Sequence, residues 1–324
     1  MTEPIENKKA QGGLAARLFG ALVLFLLILF LCHATEGSRF VKESLLLCAT
    51  RVIPSLFPFT VLSALLLSSG ALHPLARRLC RPIHALFGLG GNSGCALILG
   101  LVCGFPVGAS LGVSLYEQGE IGEGELARLL SLASHPSPAF LFYGVGISLF
   151  GSRRLGLLLV TVTLCSTLLI GICQRLLFGA VGERRAPLLP PARKRISLCL
   201  TDSVTSAART MLSVSGFVVF FYTLTGILSS ALGEDALSPP LHTALLGLFE
   251  LTGGVSAAAR CPAPTSYLLA AMISGWSGLS VHFQIMSLCP YPSVSFRPYF
   301  AAKTAECLLG GILLSVGITI LGGI

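Results

Sequence analysis

An apolar run long enough to cross a bilayer is interrupted at Gly100-Leu101-Val102-Cys103-Gly104-Phe105-Pro106-Val107-Gly108. A second run, in the other half of the chain, is interrupted at Ser274-Gly275-Trp276-Ser277-Gly278. Proline removes a backbone donor and glycine unwinds a helix at little cost. In lipid, the freed backbone groups are tolerated only where protein or a watery cavity satisfies them. Interruptions at corresponding places in two halves mark the substrate site of a transporter. The two breaks therefore place Gly104 and Pro106 among the expected substrate-binding residues.

Composition supports a membrane setting. Mean hydropathy is +0.84, and only 11% of the 324 residues are charged, against about 25% in soluble domains. The formal net charge of +8 sits in loops and the N-terminus, as the positive-inside bias requires. No compact basic and aromatic patch points to nucleic acid. The 11 cysteines form no C-x-x-C pair and lie mostly within apolar runs. They read as small packing residues, with neither a zinc site nor a disulfide framework indicated.

Along the chain, Leu14 to Cys32 is either a signal peptide, with Cys32-His33-Ala34 as a poor cleavage site, or, the favoured reading, a retained first helix. A long helix kinked near Pro54 and Pro58 follows from about Arg39 to Ser69. The broken span from Cys95 to Leu115 leads to Glu117, Glu120, Glu123 and Glu125, a group that suits the outer side. Leu126, Leu129, Leu130 and Ala133 recur at helical spacing, the mark of a short amphipathic helix lying against the rest. Ala139 to Phe150 is too short to span, at about 18 Å of helix against a core of about 30 Å, and reads as a re-entrant half-helix. Leu155 to Phe178 spans again. Arg184, Arg185, Arg193, Lys194 and Arg195 then mark a basic, proline-bearing cytoplasmic linker. The second half brings a helix from about Asp202 to Leu232, a short piece from Leu241 to Leu251, the second broken span from Tyr267 to Leu288, and a last helix from Ala301 to Leu321.

Leu86-Phe87-Gly88-Leu89-Gly90-Gly91 lines up with Leu248-Phe249-Glu250-Leu251-Thr252-Gly253-Gly254, allowing one inserted residue. With Ala139–Phe150 re-entrant, the leading helices of the two halves run in opposite directions, the layout of an inverted-topology repeat. The expected fold is an all-α polytopic membrane protein of two inverted repeats with broken and re-entrant helices. Its divisions are an N-terminal helix (1–38), a first repeat (39–178), the basic linker (179–200) and a second repeat (201–324).

Three strings, Pro54-Ser55-Leu56-Phe57-Pro58-Phe59, Gly104-Phe105-Pro106-Val107-Gly108-Ala109 and Gly278-Leu279-Ser280-Val281-His282, resemble the YlbJ-type sporulation integral membrane proteins. That family carries the Gate, or nucleoside-recognition, domain. Similar domains occur in spore maturation proteins, concentrative nucleoside transporters and B-type ferrous-iron transporters. The resemblance runs from about Arg39 to Ile320. It implies an inner-membrane, multi-pass protein with two Gate-like repeats, connected with spore formation. One segment departs from the pattern: where such proteins often show Cys-Asn, this chain has Ala133-Ser134-His135, although Pro138-Ala139-Phe140 is kept.

Glu250 is the one acid between Leu241 and Val255, and an intramembrane carboxylate is by default functional. It either holds a coupling cation, a proton or a polar solute, or faces water at the interface; Thr252 lies two residues on. Ser280, His282 and Gln284 converge on a solute only if the backbone there is unwound. In a regular helix they fan over roughly 200°. His282 is either substrate-facing or a packing residue. Asn92 and Ser93 read as a helix cap whose amides favour anions. His135 lies between helices, just ahead of Pro136 and Pro138, and Lys303 with Glu306 reads as an intrahelical ion pair.

No nucleophile–base constellation, phosphate loop or metal cluster stands out, so no catalytic residue, cofactor or metal is expected. The expected partners are the lipid bilayer, a small polar solute with a coupling ion, and sporulation proteins. The function expected is a transporter-like protein that moves or binds that solute. The alternative is a non-transporting scaffold or signalling protein needed for spore assembly.

Overall fold

A computed structural model describes residues 5–68, 73–182, 196–232 and 238–320. The basic linker residues Arg184, Arg185, Arg193, Lys194 and Arg195 lie outside the described residues, as do Ser69 and Leu321 at the ends of two expected helices. The described chain is helical. Four helices are long and apolar enough to cross a membrane, or up to six spans if each of two bent helix pairs counts as one.

The first bent pair is α1 (Ile5–Cys32) and α2 (Ala34–Leu47), which meet at 94°. The helical path continues through a π turn, Cys48–Val52, into α3 (Ile53–Ser68). Pro54, just beyond the turn, cannot donate to the preceding turn, and the Thr50 hydroxyl donates to the Leu46 carbonyl at 2.7 Å. The single kinked helix read from the sequence is this helix, π turn and helix.

The second pair is α4 (His73–Phe87) and α5 (Gly91–Cys103), bent by 81°. Next come α6 (Val107–Glu117) and α7 (Glu123–Ala133). Contrary to expectation, α7 has no solvent face: residues 125–133 are all buried. Its polar side chains have partners inside. Arg128 donates to the carbonyls of Phe87 (3.1 Å), Gln174 (3.3 Å) and Gly179 (2.7 Å), at the C-terminal ends of two other helices, where a cation is favoured. Glu125, read as an outer acid, accepts from the Gly90 amide (2.5 Å) and the Ser93 hydroxyl (2.6 Å) at the start of α5. Helical periodicity reports an apolar stripe but not whether the polar stripe also finds protein. Replacing Glu125 by Gln removes a charge from two charge-assisted bonds worth about 1.5–3 kcal/mol each. A loss of about 2 kcal/mol in denaturation of the detergent-solubilised protein is expected.

A ten-residue π helix, Phe140–Leu149, packs on α8 (Arg153–Phe178) through touching glycines. A Cβ at Gly156 would lie 2.8 Å from the Phe142 carbonyl oxygen and 3.2 Å from the Gly146 Cα. The remaining helices are α9 (Ile196–Leu232), α10 (Pro239–Phe249), α11 (Leu251–Ala258), α12 (Thr265–Trp276), α13 (Gly278–Leu288) and α14 (Arg297–Ile320). α2 and α3 pack on α9, with Cys48, Val52 and Leu56 against Met211, Val214 and Val218. The leading helices of the two halves thus pack on each other. The main core gathers residues between Ile83 and Ile170 with residues between Leu251 and Leu314. Within it, α14 lies against α7, α8 and α12. Outside the spans, Tyr291 donates to Glu117 at 2.7 Å and meets Tyr116 edge-on, joining the loop before α14 to the end of α6. The accepting carboxylate raises the Tyr291 phenol above its ordinary pKa.

Candidate functional site

The two interruptions are real breaks, and each is held by backbone of a second break. Gly104, between α5 and α6, has φ 74° and ψ −169°, a region open essentially to glycine alone. A Cβ there would lie 2.5 Å from the Ser137 nitrogen and 2.8 Å from the His135 carbonyl oxygen. The Phe105 amide donates to that carbonyl at 2.9 Å. The loop from Ser134 to Ala139, between α7 and the π helix, is therefore clamped to the Gly104–Pro106 break. In the second half the break is at Ser277 (φ 73°) and Gly278 (φ 83°). A Cβ on Gly278 would lie 2.9 Å from the Leu251 nitrogen and 3.1 Å from the Glu250 Cα. That break is clamped to the junction of α10 and α11. Gly275 belongs to packing instead, where a Cβ would run into the Glu306 backbone.

Glu250 is the residue between α10 and α11 and is 2% exposed. It caps α11, accepting from the Thr252 amide on Oε1 (3.0 Å) and the Gly253 amide on Oε2 (2.5 Å). Each oxygen keeps a lone pair beyond those bonds. The acid is buried in protein and does not face water at an interface.

Both clamps border one pocket. Its polar lining comes from Ser137, Glu250, Thr252 and Gln284, and its apolar walls include Phe105 and Phe140. Val214 and Val218 of α9 with Val52 and Leu56 close another side. About 460 Å³ lies between the lining atoms, counted out to the mouth. The Gln284 amide donates to the Ser280 hydroxyl at 3.2 Å, and its Oε1 has no protein partner. The Ser137 hydroxyl accepts from the Phe140 amide at 3.1 Å and can still donate its own proton. The pocket thus offers a carboxylate, a free amide oxygen and a hydroxyl within apolar walls. That arrangement suits a small solute with hydrogen-bond donors and an apolar body.

The expected site residues divide between this pocket and other places. Glu250, Thr252 and Gln284 line it, and Gly104 and Pro106 flank the lining residue Phe105. Ser280, His282 and Gln284 do not converge, because the backbone unwinds at Ser277 and α13 is regular helix beyond it. Ser280 and Gln284 share a face and a hydrogen bond. His282 points elsewhere, its Nδ1 sharing a hydrogen bond with the Tyr299 hydroxyl at 2.8 Å. His135 is fully buried beside the pocket, with Nδ1 donating to the Pro136 carbonyl at 2.9 Å. Asn92 is apart from the pocket and caps nothing: its amide donates to Glu120 at 2.6 Å. At the start of α5 the Glu125 carboxylate already takes the Gly90 amide and the Ser93 hydroxyl, so an anion is in place at that helix end. Sequence reasoning missed Ser137, Phe105 and Phe140 as lining residues. Their signal was present in the strings Ser-His-Pro-Ser-Pro and Gly-Phe-Pro.

No family model matches the chain, and no solved structure does. One bacterial protein matches over nearly the whole length. By its candidate spans and by that likeness, the chain is an integral membrane protein homologous to the sporulation integral membrane protein YlbJ of Bacillus subtilis (strain 168), at 28% identity over 94% of this chain and 82% of that protein.

Proposed function

We propose that this chain is a transporter-like membrane protein, associated with spore formation, that binds and moves a small donor-bearing solute through the Glu250 pocket. The observation that carries the reading is the joint lining: the breaks of both halves border one cavity holding a buried carboxylate and an unpartnered amide oxygen. In transporters, a solute held between two sets of broken helices becomes accessible to each side in turn as the halves rock. The link to spore formation rests on the name of the homologue.

An internal repeat is part of this proposal. The matched strings around Gly88 and Glu250 both form a helix end, a break and a helix start. In each half a buried carboxylate sits at the start of the helix after the break: Glu125 accepts from the Gly90 amide and the Ser93 hydroxyl at α5, and Glu250 accepts from the Thr252 and Gly253 amides at α11. Two Gate-like units related by inversion account for that likeness.

The reading is tested against a scaffold role by ranking variants in a spore-forming host that lacks its own copy. Glu250→Gln should lower spore yield at least tenfold. Neutralising Arg184, Arg185, Arg193, Lys194 and Arg195 together should lower it less. The opposite ranking would assign the function to a contact surface on the linker and would reject the pocket.

A further inference from the structure

A second set of buried polar groups lies beside the pocket, and the solute site does not use it. Lys303 Nζ donates to Glu306 Oε2 at 2.5 Å, and both side chains are at most 1% exposed. Thr167 of α8 donates to the other oxygen of Glu306 at 3.1 Å. Glu306 is about 14 Å along α14 from Arg297, close to the middle of a hydrocarbon core of about 30 Å. A buried ion pair seldom stabilises a protein more than apolar side chains of the same volume. In a membrane span, ionisable residues mark ion and proton paths by default.

The surroundings of the pair point to protons. His282 bonds the Tyr299 hydroxyl one helical turn before Lys303 on α14, and α14 packs on α7, which runs directly into Ser134 and His135. Each imidazole is at most 1% exposed and has an Nε2 with no partner. His135 donates from Nδ1 to a carbonyl, so in the neutral ring its Nε2 carries the lone pair. His282 is held edge-on against Trp276, Tyr299 and Phe300 and bonded to the Tyr299 hydroxyl. The packed elements add Ser166, next to Thr167 on α8, and Ser274, next to the Gly275 that touches the Glu306 backbone. Both hydroxyls are buried without partners, as is that of Ser134 beside His135. Buried polar groups are nearly always paired, so a cluster of unpaired ones signals a function or bound water.

We propose that His135, His282 and the Lys303–Glu306 pair form a proton relay through the membrane interior, beside the solute pocket. A proton from hydronium forms an N–H bond at Nε2 of His135, or at Nε2 of His282 in the tautomer whose Nδ1 donates to the Tyr299 hydroxyl, and makes that ring an imidazolium. The same bond breaks when the proton passes to water or to the second Nε2. At rest the cluster is neutral: Lys303 and Glu306 cancel, and both rings are uncharged. An arriving proton adds a positive charge beside Lys303, with Glu306 as the anion that offsets it. At low dielectric such an excess charge is costly, so the proton passes on and is not stored.

The relay is tested without any solute, so its failure is distinct from failure of the solute reading. Proteoliposomes adsorbed on a solid-supported membrane are given a pH step, and displaced charge is recorded. Wild type should displace charge well above protein-free vesicles. His135→Gln/His282→Gln should displace at least fivefold less, and His242→Gln, outside the cluster, should match wild type. A wild-type signal equal to that of empty vesicles overturns the proposal, as does a double variant equal to wild type. A second measurement needs no altered relay. In histidine-¹⁵N-labelled wild type, the Nε2 signals of His135 and His282 should show millisecond proton exchange with water on a step to lower pH, despite burial. Exchange over hours would show static packing residues and would equally overturn the relay.

Discussion

Lys303→Met is expected to destabilise the protein by about 3–5 kcal/mol, because it leaves the Glu306 carboxylate buried without its counter-charge. Only the Thr167 hydroxyl would then remain as a donor to that group. Lys303→Met/Glu306→Met removes both charges at similar volume and should return to within about 1 kcal/mol of wild type, since a well-packed apolar pair roughly equals a buried ion pair. Equilibrium unfolding in a fixed detergent mixture measures the cycle. Losses that add in the double variant would show that the two side chains are not coupled. The same double variant should fail to displace charge after a pH step, which separates the stability of α14 from its use.

The second large effect is at Gly104. Alanine there has to adopt a backbone region that side chains avoid, at about 1–3 kcal/mol, and its Cβ meets two backbone atoms of the 135–137 loop at 2.5 and 2.8 Å. Backbone cannot swing aside as a flexible side chain can. A total loss of about 4 kcal/mol, or failure to fold, is expected from thermal unfolding in detergent. Gly119→Ala is the control: its φ is also positive, at 72°, but no atom lies within 4 Å of the added Cβ. It should cost only about 1 kcal/mol. Equal losses at the two glycines would show that the clamp between the breaks contributes nothing.

These positions also show what the amino-acid order discloses. The breaks were legible because Gly104, Pro106 and Gly278 are residue types with distinctive backbone chemistry, and an apolar run makes any interruption conspicuous. Glu250 was legible as the one acid in its stretch, although its service as the cap of α11 follows only from three-dimensional placement. Glu125 was not legible. Its partners lie 32 and 35 residues earlier, and an acid near a helix start reads equally well as a solvated face. The burial of α7 was hidden for the same reason: the carbonyls that satisfy Arg128 belong to the ends of α4 and α8. The triplet Ser280, His282 and Gln284 was placed on unwound backbone because the break could be bounded only to a few residues. One regular turn after Gly278 sends His282 away from its neighbours and into the aromatic set around Tyr299. The ion pair of Lys303 and Glu306 was read from its spacing. Its complete burial depends on three helices, α7, α8 and α12, meeting around α14, which no local pattern encodes.

The central claim is that the Glu250 pocket holds a solute, and a thermal-shift screen of the purified protein tests it most directly. The panel comprises nucleosides, bases, amino acids, small peptides, dipicolinate, cell-wall precursors and metal ions. A solute at 100 times its dissociation constant stabilises the protein by about 2.7 kcal/mol. At least one donor-bearing compound should do so in wild type and fail to do so in Glu250→Gln. A panel that leaves wild type unmoved, or a shift that survives unchanged in Glu250→Gln, would contradict the account.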